Sequence, residues 1–380
     1  MKTEVAIIGS GITGCSAAYY LAKQGRQVIV LEKDSGVGLQ ASARAAGGVR
    51  QQGRTGALHL AMAAVQLWAG LPEELQAELE YIRTGNLVVA LDEDSAAALE
   101  RETAWEQEQG LADVCMIGAA ACHQMVPGLT DEVVAGKHCP SDGAANPMLV
   151  TPAFARAAQR AGARILTSTS VTGLLSSGAK VRGVATDQGD IEADFVINAA
   201  GPWASRFNNL ADCATRISPG RSQLLITERF APRLHPFLTI MGRVYLRQTV
   251  AGNVVIGVGG LANDTYEQYV DYPSLQQYAQ LVCEALPWLK EATLIRSFAG
   301  ITEYTPDEEP YIGAVPGAEG LFVAAGFHGQ GFCVGPMAGK IIADLICGRD
   351  SPVSLKPFRP DRFADFNSTS TDRAIIYPGE

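Results

Sequence analysis

No stretch of this 380-residue chain approaches the ~20 consecutive apolar residues that a membrane span needs, so no span is expected. Positive charge is in deficit. Thirty Lys and Arg stand against 40 Asp and Glu, a net charge of −10, which argues against nucleic acid or an anionic membrane as partner. Paired cysteines are missing: Cys15, Cys115, Cys122, Cys139, Cys213, Cys283, Cys333 and Cys347 nowhere form CxxC spacing. That excludes a disulfide frame, a zinc site or an iron–sulfur cluster built by this chain, and suits reduced, mostly buried thiols. The five histidines show no metal-ligand spacing, so no metal is expected. No basic n-region with an apolar h-region opens the chain, because Met1 leads straight into a strand; a cytoplasmic location is expected. Internal repeats and low-complexity tracts are absent too. What the chain has is size and apolar content. Forty-seven per cent hydrophobic residues supply a large core, divided between two intimately joined domains.

Residues 5–32, VAIIGSGITGCSAAYYLAKQGRQVIVLE, read as strand, glycine turn, helix, strand and acid. This is the order that holds the ADP half of a dinucleotide. Gly9, Gly11 and Gly14 occupy the GxGxxG positions: one for the tight turn, one for close approach to a pyrophosphate, one for helix–strand packing. The helix over 12–24 presents its N–H groups and positive dipole end to the phosphates, so Ser10, Ile12 and Thr13 join the glycines as candidate cofactor residues. Glu32 is placed to accept hydrogen bonds from a ribose diol, with Lys33 beside it, and would repel the extra phosphate of NADP. The motif itself does not separate NAD from FAD; its place at the N-terminus favours FAD.

After Glu32 comes a Gly/Ala/Arg-rich loop over 35–54, poor in apolar anchors. A bound flavin would order it, with Ser42, Arg44, Ala45, Gly47, Gly48 and Val49 near phosphates and ring. Residues 59–71 read as an amphipathic helix, 84–91 as a strand and 94–109 as an acidic helix. Thr151 and Pro152 read as N-cap and first position of a helix over 153–161, ended by Gly162, with strand resuming over 164–167. Residues 171–175 and 181–186 read as a hairpin pair, and 191–199 as a strand running into Ala200, Gly201, Pro202 and Trp203. Val171, Ala199, Ala200, Gly201 and Trp203 are candidates there, small residues where backbone must pass close to a ligand. Period-two alternation over 223–227, 243–248 and 254–258, with a helix over 273–285, predicts an antiparallel sheet roofing a pocket. The last block repeats the first pattern: strand 321–324, glycine turn 326–331, helix 336–347. Gly326, Phe327, His328, Gly329, Gln330, Gly331 and Phe332 thus bring a second helix N-terminus to an electron-rich ring carbonyl.

These segments resemble the D-amino-acid-oxidase-like family of FAD-dependent amine and amino-acid oxidoreductases, the group of glycine oxidase, sarcosine oxidase and bacterial amino-acid dehydrogenases. The resemblance spans essentially the whole chain: GSGITG with Glu32, ARAAGGVRQ, TGNLVVA, PSDGAANP, NAAGPWA, and TPDEEPYIG through AAGFHGQGF. It is strongest to catalytic β-type subunits of heteromeric dehydrogenases acting on proline, hydroxyproline or opines, or oxidising glycine in hydrogen cyanide synthase. It implies a mixed α/β fold of glutathione-reductase-like architecture: a Rossmann-like FAD-binding domain from residues 1–83, 144–204 and 301–366, an antiparallel-sheet substrate domain from 84–143 and 205–300, and a loose tail over 367–380. Monomeric sarcosine oxidases attach FAD through a cysteine where this chain has Gly300, and heterotetrameric ones link FMN to a histidine where it has Asn146 and Pro147. Both attachments are missing, which implies noncovalent FAD. A lysine that assists oxygen in oxidase relatives has no counterpart over 253–257, which leans towards a dehydrogenase. Its electrons would pass to partner subunits, at or in which FMN or an iron–sulfur cluster would be held. The stand-alone, peroxide-forming oxidase is the alternative.

Oxidation of an amine at carbon needs a C–H bond aimed at flavin N5, a neutral amine and a grip on the substrate carboxylate. Tyr245 resembles a carboxylate-binding tyrosine of glycine oxidase. Thr302 falls where that relative has an arginine, which leaves Arg221 and Arg247 as alternative cations. His328, in the final turn, is a candidate for touching substrate or flavin. Glu303, with Tyr304, would suit a substrate carrying a second amine or guanidinium. Substrate handedness and identity, among D-hydroxyproline, L-proline, opines, glycine and sarcosine, stay open.

Overall fold

A computed structural model describes residues 1–53, 56–208, 215–240, 244–262 and 265–363. Cys213, the opening Arg243 of one expected strand and the expected loose tail over 367–380 lie outside the described residues.

The apolar strand Lys2–Ile8 lies at the centre of the first sheet, where burial on both faces suits its near-continuous Val/Ile/Ala run. It pairs in parallel with Val28–Leu31 on one side and Ile191–Asn198 on the other. Arg164–Leu166 and Leu321–Ala325 extend the parallel core outward, and Tyr311–Ala314 closes one edge antiparallel. Val171–Ser177 and Lys180–Thr186 form the hairpin the sequence predicts, and its second strand pairs with Ile191–Asn198. Helices Ile12–Lys23, Leu58–Leu75, Pro147–Arg160 and Gly331–Ile346 cover one face over a core containing Trp68, Phe154, Leu21 and Ile341. No helix of the described residues is long and apolar enough to cross a membrane.

A second eight-stranded sheet runs in the order Leu294–Tyr304, Ser218–Arg229, Asn253–Ala262, Val244–Gln248, Phe237–Ile240, Asn86–Ala90, Ala135–Cys139, Cys115–Gly118. It is antiparallel except where Phe237–Ile240 meets Asn86–Ala90 in parallel. Four of its strands, Phe237–Ile240, Leu294–Tyr304, Ala135–Cys139 and Cys115–Gly118, are not singled out by the sequence pattern; Leu294–Tyr304 does not alternate because its N-terminal end is exposed and its C-terminal half buried. Helix Tyr272–Ala285 packs on this sheet, capped by Asp271, whose carboxylate accepts from Ser274 N.

Three boundaries differ from the sequence reading. The helix expected over 153–161 with Thr151 as its cap runs over Pro147–Arg160, capped by Asn146, whose Oδ1 accepts from Met148 N at 3.0 Å. Two Asn/Thr-Pro signals compete here, and the earlier wins; Pro152 forfeits only the bond to exposed Met148. The final helix begins at Gly331, five residues before the expected Pro336, whose carbonyl instead accepts from Ser16 Oγ at 2.7 Å. The segment expected as a plain loop over 35–54 contains a 3-10 turn, Ala41–Arg44, and a short strand, Gly48–Val49, paired with Gly143–Ala144.

The first and last helices touch almost without side chains between them. A Cβ on Gly339 would stand 2.6 Å from Thr13 O, and one on Gly335 2.7 Å from Thr13 Oγ1. That closeness sets the N-termini of both helices on one cavity.

Candidate active site

Residues from both sheets enclose a cavity of about 470 Å³, within the roughly 300–1,000 Å³ of small-ligand sites. One end is built by the N-terminal glycine turn. Gly9 has φ +97, and a Cβ there would stand 2.6 Å from Ala199 O; one on Gly14 would stand 2.0 Å from Gly9 O. Neither position tolerates a side chain, so turn, helix and NAAG strand end close on one another. Ile12 N–H donates to Ser42 Oγ at 3.0 Å, which draws the 35–53 loop over the helix terminus. Ser10 N–H and Oγ–H donate to Glu32 Oε2 at 2.9 and 2.8 Å, and Asp34 N–H to Oε1 at 3.0 Å. Glu32 is thereby held as a fixed acceptor on the cavity wall.

Of the expected cofactor residues, Gly9, Gly11, Ile12, Thr13, Glu32, Lys33, Ser42, Arg44, Ala45, Gly47, Gly48, Val171, Ala199, Ala200, Gly201, Trp203 and Gly300 line the cavity, as do Phe327, His328, Gly329, Gln330, Gly331 and Phe332. Ser10, Gly14, Val49 and Gly326 are not on the wall. They stand behind it: Ser10 orients Glu32, Gly14 permits helix packing, Val49 is in the core, and Gly326 makes its turn at φ +80 against Thr305.

The opposite end is formed by the second sheet. Tyr245 lines it, and beside it lies a cation that sequence reasoning passed over. Arg50 follows the short strand Gly48–Val49, with its guanidinium 4.7 Å from the Tyr245 ring and 5.4 Å from Phe237, and Nη1 3.4 Å from Thr239 Oγ1. The signal lay in GGVRQ, an arginine directly after paired glycines. The two cations offered instead face elsewhere. Arg247 is 9% exposed, its Nε donates to Ala46 O, and burial pulls its pKa down to about 10. Arg221 lies 3.6 Å over the Tyr269 ring. Neither is on the cavity wall. Thr302 lines the wall without supplying charge.

Between the ends, His328 (φ +48) packs edge-on against Tyr304 at 4.8 Å, with Nε2 3.9 Å from Glu308. Glu303 is 8% exposed and accepts from Phe327 N–H through Oε1 at 3.1 Å, while its buried Oε2 meets no partner. Burial pushes its pKa up to about 7, opposed by the N–H groups of Phe327 and Gly326. The strand over 253–257 contributes Gly257, and Val258 follows; a Cβ on Gly257 would stand 2.9 Å from Ala46 Cβ. No lysine reaches this end among the described residues; Lys33 lies at the other, 4.6 Å over the Trp203 ring.

A strap over 265–271 fastens to four residues of the cavity wall, Gln40, Pro202, Trp203 and Gln223. Tyr266 stacks on Trp203 at 5.4 Å and its hydroxyl donates to Pro202 O at 3.2 Å; Gln268 Nε2 donates to Gln40 Oε1, and Asp271 N–H to Gln223 Oε1 at 2.6 Å.

These residues fit FAD. Two helix N-termini, a fixed carboxylate and glycines that a Cβ would close answer the charges and shape of a dinucleotide, and an unsatisfied buried carboxylate oxygen awaits a donor.

A family model for FAD-dependent oxidoreductases (DAO) matches residues 4–345. Glycine oxidase of Geobacillus kaustophilus is 27% identical, over 94% of this chain and 96% of the relative. The β subunit of sarcosine oxidase from an Arthrobacter species is 29% identical, over 95% and 91%. Among solved structures, L-proline dehydrogenase from P. horikoshii superposes with a TM-score of 0.90 at 31% identity, covering 96% of this chain and 98% of the other.

Proposed function

The chain belongs to the DAO family of FAD-dependent oxidoreductases, and from that premise we propose that it oxidises the C–N bond of a small amino acid or secondary amine through noncovalently held FAD, as a dehydrogenase within a larger assembly. One observation carries the substrate class: a dinucleotide-shaped end and the Arg50–Tyr245 pair share one cavity. FAD held there would supply the two-electron acceptor for the substrate C–H bond. The protein's own residues orient and exclude water. Arg50 offers a planar fork to the substrate carboxylate and Tyr245 a hydroxyl, with Phe237 and Tyr245 holding the guanidinium plane. His328 and Tyr304 wall the space beside the final turn and would bound the amine. The remaining expected cofactor residues hold the dinucleotide. The neutral amine would lose its C–H hydrogen with the electron pair and become an iminium, which releases its N–H proton to water to give the imine. That imine hydrolyses to a keto acid and an amine, or is released as a cyclic imine.

The L-proline dehydrogenase structure and the sarcosine oxidase β subunit support the proline and N-methyl amino-acid range and a subunit role. Hydroxyproline, opines and glycine belong to the same proposed class. The lack of a described lysine beside Gly257 supports a protein partner, carrying FMN or an iron–sulfur cluster, as electron acceptor. The oxidase reading is favoured by one finding, the 94% coverage by glycine oxidase. Anaerobic titration of the purified holoprotein against D- and L-amino acids, N-methyl amino acids and opines tests the proposal: one class should bleach the flavin. Failure of every carboxylate-bearing amine to do so would sink it, and stoichiometric peroxide in air would select the oxidase.

A further inference from the structure

Glu303 is the penultimate residue of the strand Leu294–Tyr304 and lies in the cavity wall. Its Oε1 is satisfied by Phe327 N–H, but Oε2 is fully buried and meets no donor. A buried carboxylate oxygen left unmatched is expensive, and native proteins supply a partner from protein, water or ligand. The direction of Oε2 says which ligand. A Cβ on Gly201 would stand 3.3 Å from it, and Gly201 follows Ala200, whose Cα lies 3.3 Å from the place of a Cβ on Gly9. Oε2 is therefore on the glycine-turn side of the cavity, between the turn that takes the pyrophosphate and the final turn at Phe327. The Arg50–Tyr245 pair belongs to the opposite end. What spans such a gap in FAD is the polyol linking ring to pyrophosphate, a run of hydroxyl donors.

We infer that Glu303 is a cofactor-binding residue whose Oε2 accepts a hydrogen bond from a hydroxyl of that polyol, and that FAD binds to the ionised carboxylate. This rests on FAD as cofactor and is independent of the proposed substrate. None of the described charged or titratable groups on the elements around it pairs with Oε2. Arg221, on the partner strand, lies over Tyr269; Arg206, beyond the Gly201 turn, lies over Tyr266; His328, in the final turn, packs on Tyr304; Arg44, beside Gly300, donates to Ala299 O. Burial and the two turn N–H groups alone set the ionisation of Glu303, with a pKa of about 7. Binding that requires the ionised form couples FAD affinity to proton release.

The test is FAD affinity of the apoprotein, by fluorescence quenching, from pH 6 to pH 8. With the apoprotein pKa at about 7 the wild type should bind FAD about tenfold more tightly at pH 8 than at pH 6. Glu303→Gln should be flat within about twofold over the same range. A second measurement needs no variant: calorimetry at pH 7 in buffers of different ionisation enthalpy should show about half a proton released per FAD bound. A flat wild-type profile without proton release overturns the inference, as does an unchanged slope in Glu303→Gln. If FAD affinity is flat but substrate binding to the holoprotein acquires the pH dependence and Glu303→Gln removes it, the occupant of Oε2 is a substrate nitrogen and the inference fails. A protein binding no FAD fails the cofactor assignment; flat FAD affinity fails this inference alone.

Discussion

Replacing Arg50 by Met keeps an unbranched stem and deletes the guanidinium that lies 4.7 Å from the Tyr245 ring and 5.4 Å from Phe237. The loss should appear only with substrates that carry a carboxylate. Truncating one side of a buried, hydrogen-bonded charge pair costs about 2–5 kcal/mol. Arg50 is half-buried, so solvent screens part of this and the lower half applies, about 2–3 kcal/mol. At about 1.4 kcal/mol per tenfold, kcat/KM should fall about 30- to 140-fold. The assay is the rate of anaerobic flavin reduction against substrate concentration, with the flavin spectrum confirming full occupancy. A matched amine lacking the carboxylate should react slowly, and equally slowly, with both proteins. Arg50→Lys should fall between, since an ammonium keeps the charge and loses the planar fork. Tyr245→Phe removes one neutral hydrogen bond of about 0.5–1.5 kcal/mol and should cost about 2- to 10-fold. A fall below threefold in Arg50→Met with flavin fully bound would refute the assignment, and so would an equal penalty on the carboxylate-free amine.

Stability offers further checks. Glu303 has a folded-state pKa of about 7 against 4.5 for an ordinary glutamate, so its contribution is fully present below pH 4.5 and is lost as pH rises through 7. The apoprotein should lose about 3 kcal/mol from this group between acid pH and pH 8, and urea titrations of Glu303→Gln should lack that decline. Lys137 is 1% exposed in its side chain, 2.9 Å from Glu102 and 3.1 Å from the fully buried Glu106. Lys137→Met strands a buried carboxylate and should lower the urea unfolding free energy by about 3–5 kcal/mol; a loss under 1 kcal/mol would contradict the burial. Gly339→Ala drives a methyl against Thr13 O and Ala17 N and should cost about 1–3 kcal/mol, read as a drop in apoprotein melting temperature. Tyr266→Ala removes a ring stack worth about 0.5–1.5 kcal/mol and should speed FAD release about 2- to 10-fold in a stopped-flow chase.

The dinucleotide end was legible because its constraints are local. Gly9, Gly11, Gly14 and Glu32 sit in one βαβ unit, and each answers a backbone approach or a ribose within about 25 residues of chain. The proposed substrate end is assembled from Arg50, Phe237, Tyr245 and Tyr304, which share no local pattern and meet only when two sheets close. Arg50 was visible as a residue and invisible as a neighbour of Tyr245, because 195 positions separate them. The helix starts at Pro147 and Gly331 were misplaced for a different reason. Each helix carries a proline, Pro152 or Pro336, inside it, and propensity reads an internal proline as a beginning. Packing on the first sheet and the Ser16 bond to Pro336 outweigh that preference.

The strap over 265–271 gives occupancy a memory. Its contacts reach back to Gln40, Pro202 and Trp203, so the strap is hung from the far part of the chain and latches onto the near part. A chain that finishes folding without its dinucleotide latches empty, and loading then waits on breaking several small contacts together. A chain that meets the dinucleotide while the strap is still loose traps it. Two preparations with the same affinity can therefore load at different rates, according to whether flavin was present while they folded.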